Sequence, residues 1–154
     1  MWQRVQTIFL AVAIACLVAT IFFPVWEVKT ETTRLTLYPL YYRVQMGPDV
    51  QENYFPYCIV AILAIAAATV AFMEIQKFNN RLLQMKMGML NALLMAACLF
   101  TTVYFAMSLQ KTAQAPGNFG FSVYLPFAAM VLNMIANRFI RRDEKLVKDS
   151  DRLR

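Results

Sequence analysis

The chain contains no histidine among its 154 residues. Haem ligation by imidazole, zinc sites that use histidine and catalytic triads with an imidazole base are therefore excluded. Glycine and proline are scarce, and charged residues make up 16%, whereas a soluble domain has about 25%. The three cysteines, Cys16, Cys58 and Cys98, lie in apolar runs without a CxxC spacing. We therefore expect free thiols, and neither a disulfide framework nor a metal site.

Hydrophobic residues, in contrast, make up 60% of the chain and are concentrated in four long runs. A helix needs about 20 mostly apolar residues to cross a bilayer. The predicted spans cover about residues 5–26, 55–74, 86–109 and 121–140. All are interpreted as helices, because hydrocarbon leaves irregular backbone without hydrogen-bond partners. We expect an all-α membrane protein, a four-transmembrane-helix bundle that forms one domain over residues 1–154.

The basic residues lie mostly on one side of the predicted membrane. With four spans the termini share a side, and that side has Arg4, the 74–86 connection and the 141–154 tail. The outer loop, residues 27–54, is close to neutral. The positive-inside rule therefore predicts an inner-membrane protein with both termini in the cytoplasm. The net charge of +6 is expected to face anionic lipid and not nucleic acid.

Amide side chains occur at similar depths in three of the predicted spans. Asn91 in the third span and Asn133 in the fourth lie on the cytoplasmic half, Asn137 follows Asn133 on the same face, and Gln6 opens the first span. We expect these four residues to form a polar cluster. Hydrogen bonding between helices, worth about 0.6 kcal/mol per pair, would explain the cluster. The alternative is a site for a lipid headgroup, a quinone carbonyl or a partner helix.

No ionisable residue is expected well inside a span, since Glu74 and Lys86 lie at span ends. Ion-coupled transporters normally need such a residue, so transport is disfavoured. The third span has small residues every four positions, at Gly88, Ala92 and Ala96. A stripe of this kind is typical of close helix packing in membranes.

The outer loop contains two segments with strand character. They are RLTLY (Arg34–Tyr38) and YYRVQ (Tyr41–Gln45), and a turn is expected at Gly47. These segments predict a small β-hairpin over the outer end of the bundle. Tyr38, Tyr41 and Tyr42 are the candidate contact residues, because aromatic side chains are enriched at interfaces. The alternative is that these tyrosines only pack on the membrane rim of the loop.

The charged C-terminal tail has helical spacing. Phe139, Leu146 and Leu153 recur every seven residues, which favours a helix that continues the fourth span. Such a helix would either extend into the cytoplasm and pack against the 74–86 connection, or bend to lie on anionic lipid. It would serve either as a membrane anchor or in partner recognition. The candidate interaction residues are Arg138, Arg141, Arg142, Asp143, Glu144, Lys145 and Arg152.

Three segments resemble a known family. They are QRVQT (Gln3–Thr7), YLP (Tyr124–Pro126) and ANRFIRRDEKLVKDSDRLR (Ala136–Arg154), of which the tail is the most specific. The chain resembles domain of unknown function 4293, a bacterial family of small four-span membrane proteins. The resemblance implies a bacterial inner-membrane location and a tail that belongs to the family pattern. It implies no activity, substrate or catalytic residue.

These patterns predict a non-catalytic protein without a cofactor or a bound metal. The leading hypothesis is an accessory or assembly subunit of a larger membrane complex, whose partners are other membrane subunits or further copies of itself. It rests on the lack of catalytic and transport residues beside an elaborate tail and outer loop. The alternative is a lipid- or quinone-binding protein that uses the amide cluster. A small channel or transporter is the third and weakest hypothesis.

Overall fold

The computed structural model describes residues 5–77, 80–114 and 117–152, with side chains as far as residue 146. Its main elements are α1 (Val5–Phe22), α2 (Ile59–Gln76), α3 (Arg81–Ala113) and α4 (Tyr124–Arg152). All four are long and apolar enough to cross a membrane, and their most apolar 18-residue stretches have mean hydropathy of 2.5, 2.1, 1.9 and 1.4 in chain order. The prediction of four helices able to span a membrane is therefore confirmed.

The helix ends follow from local sequence. α1 ends at Phe22, before the predicted limit at residue 26, because Pro24 follows and disfavours helical backbone at the residue before it. α3 begins where the Asn80 side chain accepts a hydrogen bond from the Leu83 amide at 3.1 Å. Such a cap satisfies a donor of the first turn. Pro126 is tolerated because it lies in the first turn of α4.

The helices form a ring in which α1 and α3 each pack against both α2 and α4. The inward face of α2 is lined by alanines, and Ala64, Ala67 and Ala71 are fully buried. The outward face has large apolar residues, and Ile62 and Phe72 are more than half exposed. Small residues inside and large apolar residues outside are typical of a bundle surrounded by lipid, where close backbone approach holds helices together.

The small-residue stripe predicted on α3 does not form one packed face. Gly88 is buried and Ala92 half-buried, but Ala96 is exposed. Steps of four residues turn about 400° around a helix, so each step drifts by about 40°. The buried face of α3 instead alternates steps of three and four, through Asn91 and Met95 after Gly88. The prediction was wrong for Ala96 because it ignored this drift.

A five-stranded antiparallel sheet covers one end of the bundle, so the all-α class is corrected in part. The strands are β1 (Trp26–Lys29), β2 (Thr33–Leu37), β3 (Tyr42–Met46), β4 (Asp49–Asn53) and β5 (Asn118–Phe119), in the order β4-β3-β2-β1-β5. The expected hairpin of β2 and β3 is present within this sheet. The expected turn at Gly47 is also present, with a φ of 58°. This left-handed backbone suits glycine.

The sheet is attached to the bundle by an apolar layer and by a hydrogen bond from the Ala61 amide of α2 to the carbonyl oxygen of Pro39, between β2 and β3, at 3.2 Å. Trp26 is fully buried between the sheet and Ala106 of α3. The Ser122 hydroxyl donates to the Thr20 carbonyl oxygen at 2.8 Å, which ties the 3₁₀ turn before α4 (Phe121–Val123) to the end of α1. We call this end of the bundle the sheet end. The opposite end is the tail end: there α1 begins, α2 leads into α3, and α4 continues into the tail.

The tail continues the fourth span as one unbroken helix. α4 has 29 residues, about 44 Å at the usual helical rise, and this exceeds the bilayer hydrocarbon thickness of about 30 Å. The Arg81 guanidinium donates to the backbone carbonyl oxygen of Asp143 at 2.7 Å. Of the two predicted arrangements, the structure therefore has the extended tail that contacts the 74–86 connection.

Candidate functional site

The structure joins two of the predicted amides inside the bundle. Asn91 and Asn133 are both fully buried. The Asn91 side-chain nitrogen donates to Asn133 Oδ1 at 3.5 Å. Asn133 Nδ2 donates to the Gly88 carbonyl oxygen at 3.0 Å. Asn133 therefore makes the stronger contacts between α3 and α4, while Asn91 Oδ1 has no partner among the described residues.

The other two predicted amides have different positions. Asn137 is half-buried beside Gly88, where a Cβ atom would overlap its side-chain oxygen. A larger residue at position 88 would therefore force the Asn137 side chain to move. Gln6 is buried but makes no hydrogen bond with the asparagines in the described part of the chain. The expected single cluster is thus a pair of asparagines, a third at its rim, and Gln6 apart from them.

Glu74 was missed as an interior residue. It lies near the end of α2, as expected, but its side chain is completely buried inside the bundle, with an exposed fraction of 0%. Neither carboxylate oxygen has a hydrogen-bond partner among the described residues. The reason is helical spacing, because Glu74 follows Ala67 and Ala71 on the inward face of α2. This extension of the alanine pattern is the sequence signal that could have found it.

Gln84 of α3 lies at the depth of Glu74. The Cys98 thiol contacts the Val60 carbonyl oxygen at 3.7 Å, which fixes the relative position of α2 and α3. Glu74 follows Val60 by the same number of residues as Gln84 precedes Cys98. Because the two helices are antiparallel, Glu74 and Gln84 therefore lie at the same distance from this contact towards the tail end. Gln84 is 2% exposed, and its Oε1 atom also lacks a partner among the described residues.

Two further residues lie within about one turn of this level, because Gly88 of α3 contacts Asn137 of α4, and Gln84 and Ile140 lie a similar number of residues from that contact towards the tail end. On α1, Gln6 lies about one turn closer to the tail end than Phe9, whose ring stacks on Phe139 at a centroid distance of 5.8 Å. On α4, Ile140 follows Phe139 and is 1% exposed. We call Gln6, Glu74, Gln84 and Ile140 the tail-end layer. Each helix supplies one of its residues, and three of the four are polar.

A cleft lies beside the asparagine pair, between α3 and α4. It has a volume of about 420 Å³ and is lined by Gly88, Met89, Ala92, Met134, Asn137, Arg138 and Arg141. Its walls are apolar towards the bundle centre, and two guanidinium groups lie towards the tail end. Neither Arg138 nor Arg141 forms an ion pair with a described residue. The α3–α4 cleft therefore combines positive charge with an apolar wall.

The remaining tail candidates are not gathered into one site. Arg142 and Lys145 are exposed, while Asp143 and Glu144 are half-buried. The side chain of Arg152 lies outside the described part of the structure. The Asp143 backbone carbonyl is joined to α3 through Arg81. The structure thus separates Arg138 and Arg141, which line the cleft, from the rest of the tail.

At the sheet end, the predicted tyrosines have two different environments. Tyr42 packs on Tyr57 of the bundle side, with ring centroids 5.6 Å apart. Tyr38 and Tyr41 pack on each other at 5.0 Å. The Arg43 guanidinium lies over both, 5.8 Å and 5.1 Å from their centroids, in cation–π geometry. Tyr42 therefore anchors the sheet, whereas Tyr38 and Tyr41 belong to a polar–aromatic surface group.

An ion pair joins β3 and β4, the two neighbouring strands at one edge of the sheet. Arg43 Nη2 of β3 lies 2.7 Å from Glu52 Oε1 of β4, and the Tyr54 hydroxyl donates to Glu52 Oε2 at 2.9 Å. The hydrogen bond from Arg43, followed by that from Tyr54, holds the pKa of Glu52 below its ordinary value of 4.5. The pair keeps β3 and β4 in register at a position that is open to solvent.

Among the described residues, no group of three His, Cys, Asp or Glu side chains could hold a metal ion.

The comparisons with known proteins agree with the resemblance noted in the sequence. No curated protein matches the chain in sequence. A family described as Domain of unknown function (DUF4293) matches residues 2–153, which is almost the full length. The chain therefore belongs to the DUF4293 family.

Proposed function

We propose that this protein is a non-catalytic accessory or assembly subunit of a larger complex in the bacterial inner membrane, with both termini in the cytoplasm. Charge supports this orientation. At the sheet end Lys29 and Arg34 pair with Glu27, and Arg43 pairs with Glu52, so that surface is close to neutral. The unbalanced positive charge lies at the tail end, as the positive-inside rule requires of a cytoplasmic face.

The observation that carries the accessory role is the exposed outer hairpin, β3 and β4. All five residues of β4 are exposed, and the strand pairs only with β3. Near the hairpin tip, Met46 is 60% and Val50 is 51% exposed. A strand that buries neither face gains little from the core, and its free edge can pair with a strand of another chain. The hairpin thus fits a surface that a partner subunit covers.

The test is purification from native membranes at native expression, with an affinity tag inserted in the turn at residues 30–32. This position leaves both termini and β4 free. The V50K variant places a charge on the free edge, and F119K places the same charge on β5, the opposite edge of the sheet. A chain truncated after Arg142 tests the tail separately.

We expect the wild-type chain and F119K to retain one membrane complex and V50K to lose it. If the complex is lost from the truncated chain and not from V50K, the tail and not the outer hairpin is the docking element, and the accessory role still holds. Recovery of the wild-type protein alone, even after cross-linking in native membranes, would contradict the proposal.

A lipid- or quinone-binding protein is the second candidate, and the α3–α4 cleft favours it. Arg138 and Arg141 could bind an anionic headgroup, Asn137 could donate to its oxygens, and the Met89 side of the cleft could hold an acyl chain. Native mass spectrometry of the purified protein tests this function. Retained phospholipid that is lost in R138Q/R141Q supports it, and absence of lipid and quinone from the wild-type chain argues against it.

A small channel or transporter is the third hypothesis and has the least support. Flux in proteoliposomes would be needed to sustain it, and no flux would end it.

A further inference from the structure

We infer that the tail-end layer is a binding site for one alkali-metal cation, held between α1, α2 and α3. The site would take its charge from Glu74 and its remaining protein ligands from the amide oxygens of Gln6 and Gln84. The inference is independent of the accessory role, because it concerns the bundle interior and not the sheet or the cleft.

The first step is the chemistry of the unpaired atoms. Both oxygens of Glu74, Oε1 of Gln6 and Oε1 of Gln84 are buried and have no hydrogen-bond partner among the described residues. All four atoms are oxygens that accept hydrogen bonds or coordinate cations. Hard cations are bound by carboxylate and amide oxygens of this kind. Buried polar atoms of a native protein normally have partners, so a shared deficit of this type indicates a missing positive group.

The second step is position. Counting residues along the helices places the three residues within about one turn of each other along the bundle, on buried faces of three helices, with α2 in contact with both α1 and α3. Glu74 is 0%, Gln84 2% and Gln6 3% exposed. Ile140 closes the fourth side of the layer with an apolar surface. A layer this enclosed suits a small ion and not a headgroup, and the larger α3–α4 cleft lies on the outside of the bundle.

The third step is charge. Glu74 supplies one negative charge, and no described Lys or Arg forms an ion pair with it. Leaving a carboxylate unpaired among membrane helices is costly. If the amides turned their NH₂ groups towards Glu74, they would hydrogen-bond to it without neutralising it. A monovalent cation balances the charge, whereas a divalent cation would leave the site positive and usually has more carboxylate ligands.

The experiment uses the full-length protein purified in mild detergent. Its melting temperature is measured in NaCl, KCl and choline chloride at equal ionic strength, and binding of ²²Na⁺ is measured directly with unlabelled K⁺ and Li⁺ as competitors. E74Q removes the charge with little change of shape. E31Q makes the same substitution at an exposed residue of the β1–β2 turn and is the matched control.

We expect an alkali cation to raise the melting temperature of the wild type and E31Q by about 5 °C relative to choline. We also expect one bound cation per chain, and loss of both effects in E74Q. Should E74Q fail to fold, Q84L keeps the carboxylate and removes one ligand, and its cation affinity should fall at least about tenfold.

The inference would be overturned if the wild type and E74Q responded equally to the three salts and bound no cation. In that case Glu74 carries a proton.

Discussion

The asparagine pair gives a sharp test of the interior, because its two members are not equivalent. Replacing Asn133 by leucine, a side chain of similar size, removes the 3.0 Å bond to the Gly88 carbonyl and the 3.5 Å bond from Asn91. Hydrogen bonds between membrane helices contribute about 0.6 kcal/mol each. The longer bond lies at the geometric limit and contributes less. We therefore expect N133L to lower the free energy of unfolding by about 1 kcal/mol.

The N91L variant should cost much less. It loses only the 3.5 Å bond, and it also removes Oδ1 of Asn91, which has no partner among the described residues. An unpaired buried acceptor is itself destabilising. We expect a change of about 0.5 kcal/mol or less, of either sign. The double variant should cost no more than N133L alone, because Asn91 is no longer left with an unpaired donor.

Reversible unfolding in mixed detergent micelles, analysed as a double-mutant cycle, gives these quantities. M95L is the control, since it changes a buried apolar residue of α3 and should cost less than about 1.5 kcal/mol. The reasoning would be refuted if N91L cost as much as N133L, or if the coupling between the two exceeded about 2 kcal/mol. The first result would mean that Asn91 contributes as much as Asn133 to the contact between α3 and α4, and the second that the 3.5 Å bond between the two asparagines is stronger than its length implies.

Three further predictions concern packing and the sheet. G88L should lower the free energy of unfolding by about 1–3 kcal/mol through overpacking against α4, measured in the same micelles; unchanged stability would contradict the close helix approach. The depressed pKa of Glu52 means that its pair with Arg43 stabilises the sheet above pH 4.5 and is lost as the pH falls through the lower folded value. R43Q should therefore raise the pKa of Glu52 in an NMR titration, and an unchanged pKa would exclude the pair. G117V should displace the Trp26 indole, which packs against that glycine, and shift its fluorescence to longer wavelength; an unshifted spectrum would show that the indole keeps its position.

The parts of the fold that could be predicted are those with a strong local signal. Uninterrupted apolar runs located all four helices, and the seven-residue spacing of Phe139 and Leu146 correctly extended the last helix into the tail. The common depth of Asn91 and Asn133 followed from counting residues into two antiparallel spans. In each case the signal comes from a single segment or from a count along rigid helices, so no knowledge of distant pairing was required.

The sheet was only half predictable because three of its five strands, β1, β4 and β5, lack a strong local signal. β1 begins at Trp26, where the first predicted span ends, and continues into the predicted outer loop, while β4 (DVQEN) has only one β-branched residue. β5 has only two residues and pairs with β1 across most of the chain length. Pairing at that separation depends on α3 returning the chain to the sheet end, and periodicity within a short window does not report it. The hairpin of β2 and β3 was found because both segments are rich in β-branched and aromatic residues.

Glu74 shows why the end of a span is not the same as the membrane surface. Its position in the sequence, close to charged Lys77, favours a solvated side chain. Its angular position is decided by Ala67 and Ala71, which place the inward face of α2 on the same side as the carboxylate. In a bundle whose core is made of small residues, a long polar side chain on that face is enclosed even near the end of a helix. The direction of a residue around the helix must therefore be considered together with its depth before an ionisable side chain is assigned to the surface.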